Sequence, residues 1–264
     1  MYLLGSIHVL SEDFYPLPDY IETLVQRADV LVLEADIREE SLKTAEIAQL
    51  TMKAGFYHDG SSIEEHLEKS LYQSLSAVVK EAGLSMEQVS LMKPWLLSLT
   101  LQTLELESSG YRSYFGMERV ISKANTWDKV VELEGIEYQL EMVAGLGEDD
   151  QLELLNSTVE ESGHIKESLE ILIDAWEQGN PGLIAEELAL EGLSGGIAKR
   201  LLQQRNVSMA KKAAELLNSE VGKKTILLVA GAAHFIGETG IPFQLSSRGF
   251  DVSQVDKRGE LILK

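Results

Sequence analysis

The stretch Thr225-Ile226-Leu227-Leu228-Val229-Ala230-Gly231-Ala232-Ala233-His234 gives the first indication of how this chain folds. Its run of branched and aliphatic residues is typical of a short buried strand. Where the run ends, a glycine allows close approach of the backbone, and a histidine follows. Ligands of open α/β sheets gather outside the carboxyl ends of the strands. The stretch therefore predicts a strand that carries a histidine to a ligand site.

The same pattern opens the chain, as Met1-Tyr2-Leu3-Leu4-Gly5-Ser6-Ile7-His8. Two of the five histidines, His8 and His234, thus share one local context at opposite ends of the sequence. Neutral imidazole is the commonest side-chain ligand of metal ions. Taken singly, each residue is equally compatible with a hydrogen-bonded core histidine. The shared Gly-x-x-His motif favours the alternative in which folding brings both imidazoles into one acidic site.

Short apolar runs predict further strands, and amphipathic segments between them predict helices. The predicted strands are Tyr2–Leu4, Val30–Leu33, Lys129–Leu133 and Ile226–Ala230, with weaker ones at Asp251–Val255 and Glu260–Leu263. The predicted helices are Asp19–Arg27, one starting at the capping box Ser62–Glu65 and running through Ala77, Pro94–Glu107, Met117–Asn125, Leu152–Gln178 with a break near Ser162-Gly163, and Lys199–Asn218. These elements predict the α/β (α+β) class, with a central mixed β-sheet flanked by helices and a large helical insertion at about 38–125. No linker is evident, so we expect a single domain over 1–264.

Composition limits the classes of function. The chain has 264 residues and a formal net charge of -20, which repels phosphates and argues against nucleic-acid binding. It has no cysteine, so thiolate nucleophiles and Cys-type zinc sites are excluded. No apolar run approaches the ~18 residues that a transmembrane helix needs. No Gly-x-Ser-x-Gly elbow, phosphate-binding glycine loop or His-Glu-x-x-His motif is present.

Carboxylates follow two of the predicted strands at the same edge. Glu34 comes directly after Val30–Leu33, where an unpaired carboxylate is costly, so we expect either a salt bridge or a ligand role. Glu134 follows the next strand and is equally suited to pairing with a lysine. Histidines combined with carboxylates suit Mn, Fe, Co or Zn better than Mg or Ca. A metal in such a site activates water and polarises a carbonyl.

A late helix adds Arg205 and Asn206. An arginine at this site orients a carboxylate or stabilises an oxyanion, although a surface arginine on a helix fits the sequence equally well.

Taken together, the motifs resemble the TraB/GumN family, which includes the Tiki proteases and belongs to a wider set with the erythromycin esterase and ChaN-like proteins. The resemblance runs from about residue 1 to 255. The motifs that carry it are, in order, Tyr2–Val9, Leu17-Pro18 through Glu34, Lys93-Pro94-Trp95, Gly110-Tyr111 with Phe115–Glu118, Leu133–Gly135 with Gln139, Gln204–Asn206 with Met209, and Val229–Gly237 ahead of Arg248–Phe250.

This resemblance implies a metal-dependent peptidase that uses Mn or Co, with Zn or Fe as further options. The implied metal ligands are His8, His234 and Glu34, and the implied catalytic residues are Glu34, Glu118, Glu134, Arg205 and Asn206. It also implies an extracytoplasmic or cell-envelope location. The chain shows no signal peptide, which leaves a cytoplasmic location open.

The sequence thus predicts a metal-dependent hydrolase, most simply a metallopeptidase that cleaves a peptide or protein substrate near an exposed terminus. One alternative is a non-catalytic protein that sequesters a peptide or pheromone, as TraB-type proteins do. Another is a haem- or iron-binding protein of the ChaN type. The natural substrate, the metal and the oligomeric state stay open.

Overall fold

The computed structural model describes residues 1–38, 43–190, 197, 199–256, 258 and 261–263. Glu260, the first residue of the last predicted strand, lies outside this set.

Four strands form one sheet in which all neighbours are parallel. They are β1 (Tyr2–Ser6), β2 (Val30–Leu33), β3 (Lys129–Glu132) and β4 (Ile226–Gly231), and their order across the sheet is β1-β4-β2-β3. Leu228 at the centre of β4 lies opposite both Leu3 and Val32. The α/β class is confirmed, and all four strong strand predictions agree with the structure to within two residues.

The mixed character predicted for the central sheet is wrong. The two weakest segments, β5 (Gln254–Val255) and β6 (Leu261–Leu263), pair with each other in a separate antiparallel ribbon. The two central strands, β2 and β4, are buried along their whole length, as strands of a parallel sheet covered on both faces are, whereas β5 is exposed.

Helices cover both faces of the main sheet and also fill the chain between β2 and β3. Their bounds are α1 Asp19–Arg27, α2 Thr44–Gly55, α3 Ile63–His66, α4 Lys69–Glu81, α5 Met86–Val89, α6 Pro94–Ser108, α7 Met117–Lys123, α8 Ile136–Ala144, α9 Glu148–Glu160, α10 Ile165–Glu177, α11 Pro181–Leu190, α12 Gln204–Leu217 and α13 Ile241–Ser246. A π-helical turn, Lys199–Gln203, leads into α12.

The two faces of the sheet have separate cores, because successive side chains of a strand point to opposite faces. On one face, Val32 and Leu228 pack against Met209 and Ala213 of α12. On the other face, Leu31 and Val229 pack with residues of α1 and α7. The sheet is therefore enclosed, and its carboxyl edge is where side chains can meet a ligand.

Two predicted long helices are interrupted. The helix that starts with the Ser62 capping box stops after one turn, since Leu67 and Glu68 are extended with ψ of 144°. The break predicted near Ser162-Gly163 is confirmed, and Gly163 there has a φ of +88°, a conformation that favours glycine.

The helices between β2 and β3 have a core of their own, to which α9 contributes. In α6, Leu97 and Leu101 are buried in this core, while Leu99 is 41% exposed. The apolar character of α6 thus reflects packing between helices. Among the helices that the structure describes, none combines the length and apolarity required to span a bilayer.

We expect Leu228→Ala to lower the free energy of unfolding by about 2–5 kcal/mol, because it leaves a cavity between two neighbouring strands and α12. Urea denaturation followed by circular dichroism measures this loss. Leu99→Ala, the same truncation at an exposed site, is the matched control and should change stability by about 0.5 kcal/mol or less. Equal losses in both variants would contradict the packing described here.

Candidate functional site

Side chains from three strand ends meet at the carboxyl edge of the sheet. Glu34 directly follows β2, His8 lies two residues beyond β1, and His234 lies in the turn after β4. The carboxylate of Glu34 is between the two imidazoles: Oε1 is 4.0 Å from His8 Nε2, and Oε2 is 3.5 Å from His234 Nε2. Both Gly-x-x-His motifs therefore reach one carboxylate.

Glu34 is almost fully buried, with 6% of its surface exposed. Its Oε1 accepts a hydrogen bond from the backbone N–H of Gly231 at 2.6 Å. Its Oε2 accepts from Gln139 Nε2 at 3.1 Å and from Arg205 Nη2. Burial alone would raise the pKa of Glu34, but His234, His8 and Arg205 together hold that pKa well below its usual range. The group is thus a buried carboxylate that stays ionised.

His8 is held by a second buried carboxylate. Its Nδ1 donates to Glu118 Oε1 at 2.6 Å, and the Ser6 hydroxyl donates to the same oxygen. The charge of Glu118 raises the pKa of His8 to about 9. The His8 side chain is 61% exposed, so solvent reaches the site through this imidazole.

The position of Glu118 depends on a glycine. Gly116 precedes α7, and a Cβ at Gly116 would lie 2.9 Å from the carbonyl carbon of His8 and closer still to its oxygen. Without that Cβ, the start of α7 packs against the chain after β1, and Met117 N donates to Ile7 O at 3.0 Å. Glu118 is not at a strand end, so the strand-end pattern missed it, and only the family motif indicated it.

Arg205 is buried between two carboxylates. Its Nε and Nη2 donate to Glu134 Oε2 at 2.9 and 2.8 Å, and Nη2 also contacts Glu34. The sequence allowed either a surface arginine or an arginine that orients a carboxylate at this position. In the structure, Arg205 is buried and holds two carboxylates. Glu134 pairs with this arginine and not with a lysine, since Lys212 instead donates to the Leu133 carbonyl.

Asn206 orients the second histidine. Its Oδ1 lies 2.6 Å from His234 Nδ1, and this contact directs the other ring nitrogen, Nε2, at Glu34. His234 is only 3% exposed, in contrast to His8.

Three of these residues could hold a metal ion. One ligand atom from each of His8, Glu34 and Glu118 lies within 4.8 Å of the others, and among the described residues His234 falls outside this group. Gly231 keeps the space beside them free, because a Cβ there would lie 2.7 Å from His8 Nε2 and 3.4 Å from Glu34 Oε1. One imidazole with two carboxylates is a donor set that fits Mn, Fe, Co or Zn.

The sequence of this chain is similar to those of one protein family. The sequence model described as the TraB/PrgY/gumN family matches residues 1–254. The Escherichia coli K12 protein YbaP is 27% identical over 247 residues, which are 92% of this chain and 87% of that protein. YbaP of Shigella flexneri matches with the same figures, and both are named as uncharacterized proteins. No solved structure matches. Because the family match spans nearly the whole sequence, this chain belongs to the TraB/PrgY/gumN family.

Proposed function

We propose that this protein is a metal-dependent hydrolase that cleaves peptides near an exposed terminus. The single observation that carries the proposal is the group of His8, Glu34 and Glu118 at the carboxyl edge of a parallel sheet. Ligands of this sheet type bind at that edge. The exposed imidazole of His8 lets a substrate approach the group from solvent.

The charges at the site favour a divalent cation. Three carboxylates, those of Glu34, Glu118 and Glu134, are buried together with one guanidinium, that of Arg205. Once His8 has lost its proton, a divalent cation in the group would balance the two remaining negative charges. When bound, such an ion supplies a Lewis acid that polarises a peptide carbonyl and acidifies a water molecule.

The other residues position these groups. Arg205 fixes Glu34 by bridging it to Glu134, whose side chain is only 2% exposed and thus out of reach of substrate. Asn206 holds His234 with Nε2 toward the site. Because Oε1 of Glu118 already accepts hydrogen bonds from Ser6 and His8, we assign to its other oxygen the role of holding the ion or accepting a proton from the attacking water.

A specific observation also supports a second function, peptide binding without cleavage. Each carboxylate of the group already has partners within the chain: Gly231 and Arg205 for Glu34, and Ser6 and His8 for Glu118. This network is complete without an ion, as expected of a site that only binds.

Titration calorimetry with Mn or Co tests the metal group directly. We expect the wild-type protein to bind one ion, and Glu118→Gln to weaken binding by about tenfold or more, because it removes an anionic ligand. Glu220→Gln, a change of the same kind at a side chain that is 86% exposed, should bind as the wild type does. Equal affinity in all three proteins would refute the proposed metal site.

Peptide hydrolysis tests the activity. With added Mn or Co, we expect the wild type to shorten a peptide library near the chain ends, and His8→Ala and His234→Ala to lower turnover by about 100-fold or more, as losses of catalytic groups do. Mass spectrometry identifies the products. Binding that persists in EDTA without any product would favour sequestration, and turnover that is equal in the three proteins would refute the hydrolase site.

Gly231→Ala tests the space beside the metal group. The new methyl group would lie 2.7 Å from His8 Nε2, so we expect the His8 ring to move and metal affinity to fall by about tenfold while the protein remains folded. Gly147→Ala is the control, because the described side chain nearest to a Cβ there, that of Asp150, is 4.0 Å away at its Oδ2. Unchanged metal affinity in Gly231→Ala would show that the ion binds elsewhere.

A further inference from the structure

A recess of about 370 Å³ lies along α7 and shares none of the residues of the metal group. Aromatic side chains form much of its wall, those of Tyr15, Tyr114 and Phe115, and Val120 of α7 adds an aliphatic surface. Tyr114 is 59% exposed at the mouth. The volume is at the low end for small-molecule sites, which suits one amino-acid residue better than an extended chain.

An arginine in this wall lacks a partner. Arg119 lines the recess, and its Nε, which is covered by surrounding atoms, donates a hydrogen bond to no described residue. A ligand in the recess would therefore bind this guanidinium through its terminal nitrogens. A carboxylate is the acceptor that matches a guanidinium most closely, since two of its N–H groups can bind the two oxygens.

The recess adjoins the proposed reaction centre. Arg119 directly follows Glu118 on α7, so their Cα atoms are about 3.8 Å apart. Tyr15 connects the two regions, because its hydroxyl donates to the Phe115 carbonyl within the wall. Burial, and to a lesser extent the charge of Glu118, raises the pKa of Tyr15. The recess and the metal group thus draw on consecutive residues of α7, Arg119 and Glu118.

We propose that this recess binds the carboxyl-terminal residue of a peptide, with its apolar side chain against the aromatic wall and its α-carboxylate on Arg119. That the ligand is a peptide rests on the proposed function. A terminal residue presents an apolar side chain and a carboxylate on the same carbon. An internal Asp or Glu would instead bring its charged side chain against the apolar wall.

Local charge makes this binding possible in a chain of net charge -20. Arg119 and Lys123 give the recess two cations, against one carboxylate, that of Glu12. Lys123 lies 5.3 Å from the centre of the Tyr114 ring, so its charge is near the mouth. The recess is thus a locally positive region at which one carboxylate is favoured.

Calorimetry on the metal-free protein in EDTA tests the assignment with three acetylated tripeptides. One ends in phenylalanine with a free carboxylate, the second is its carboxamide, and the third ends in glycine with a free carboxylate. We expect wild type to bind the first at least about tenfold more tightly than either of the others, since each lacks one of the two interactions. Equal affinity for the acid and the amide, or no binding of any peptide, would overturn the proposal.

Variants of Arg119 test whether this residue binds the carboxylate of the peptide. Arg119→Gln should bind the acid no better than the amide, whereas Arg119→Lys should keep part of the preference, because it retains the charge but not the two-point geometry. Arg248→Gln removes one positive charge from an exposed site outside the recess and should behave as wild type. A preference that survives in Arg119→Gln with an unchanged circular dichroism spectrum would refute the role of Arg119.

The same peptides separate this inference from the proposed function. If the wild type prefers the free acid in EDTA but releases no phenylalanine with Mn or Co, the recess assignment stands and the hydrolase fails. If peptides are cleaved but acid and amide bind equally, the hydrolase stands and the recess assignment fails.

Discussion

The site depends on keeping one buried carboxylate, that of Glu34, ionised. Burying a carboxylate is costly unless hydrogen bonds and opposite charges compensate for the lost hydration. The compensation comes from the Gly231 amide at the end of β4, from Gln139 on α8 and from Arg205 on α12. Because these partners are far apart in sequence, Glu34 is satisfied only when β2 and β4 pair in their native register, in which Leu33 lies opposite Val229.

The same network allows the charges of the site to be balanced both with and without a bound ion. Without an ion, the proton on His8 helps to balance the carboxylates, since the adjacent Glu118 raises the pKa of that imidazole. An ion that binds His8 must displace this proton, so metal affinity and proton affinity are in competition at one ring. Arg205 pairs instead with Glu34 and Glu134. In the proposed function, the metal would therefore take the place of the proton on His8.

The sequence predicted the frame of the site well, for a physical reason. Strands buried on both faces need continuous apolar runs, so the ends of β2 and β4, and with them Glu34 and His234, were visible in the pattern. Glu118 was not, since it comes from the first turn of α7, and its approach to His8 depends on a tertiary contact at Gly116 that local patterns do not encode. The pairing of β5 with β6 was missed because runs of two and three residues are too short to show a periodic pattern.

The start of α7 links the reaction centre to the neighbouring recess. Glu118 faces the strand ends, while Arg119, the next residue, lines the recess. Because Gly116 packs against the His8 backbone, the helix cannot slide without moving both side chains together. A peptide held at Arg119 by its terminal carboxylate would thus be fixed by the same helix that carries Glu118. Binding energy at Arg119 would then position the substrate relative to the metal group, because both side chains are held by one rigid element.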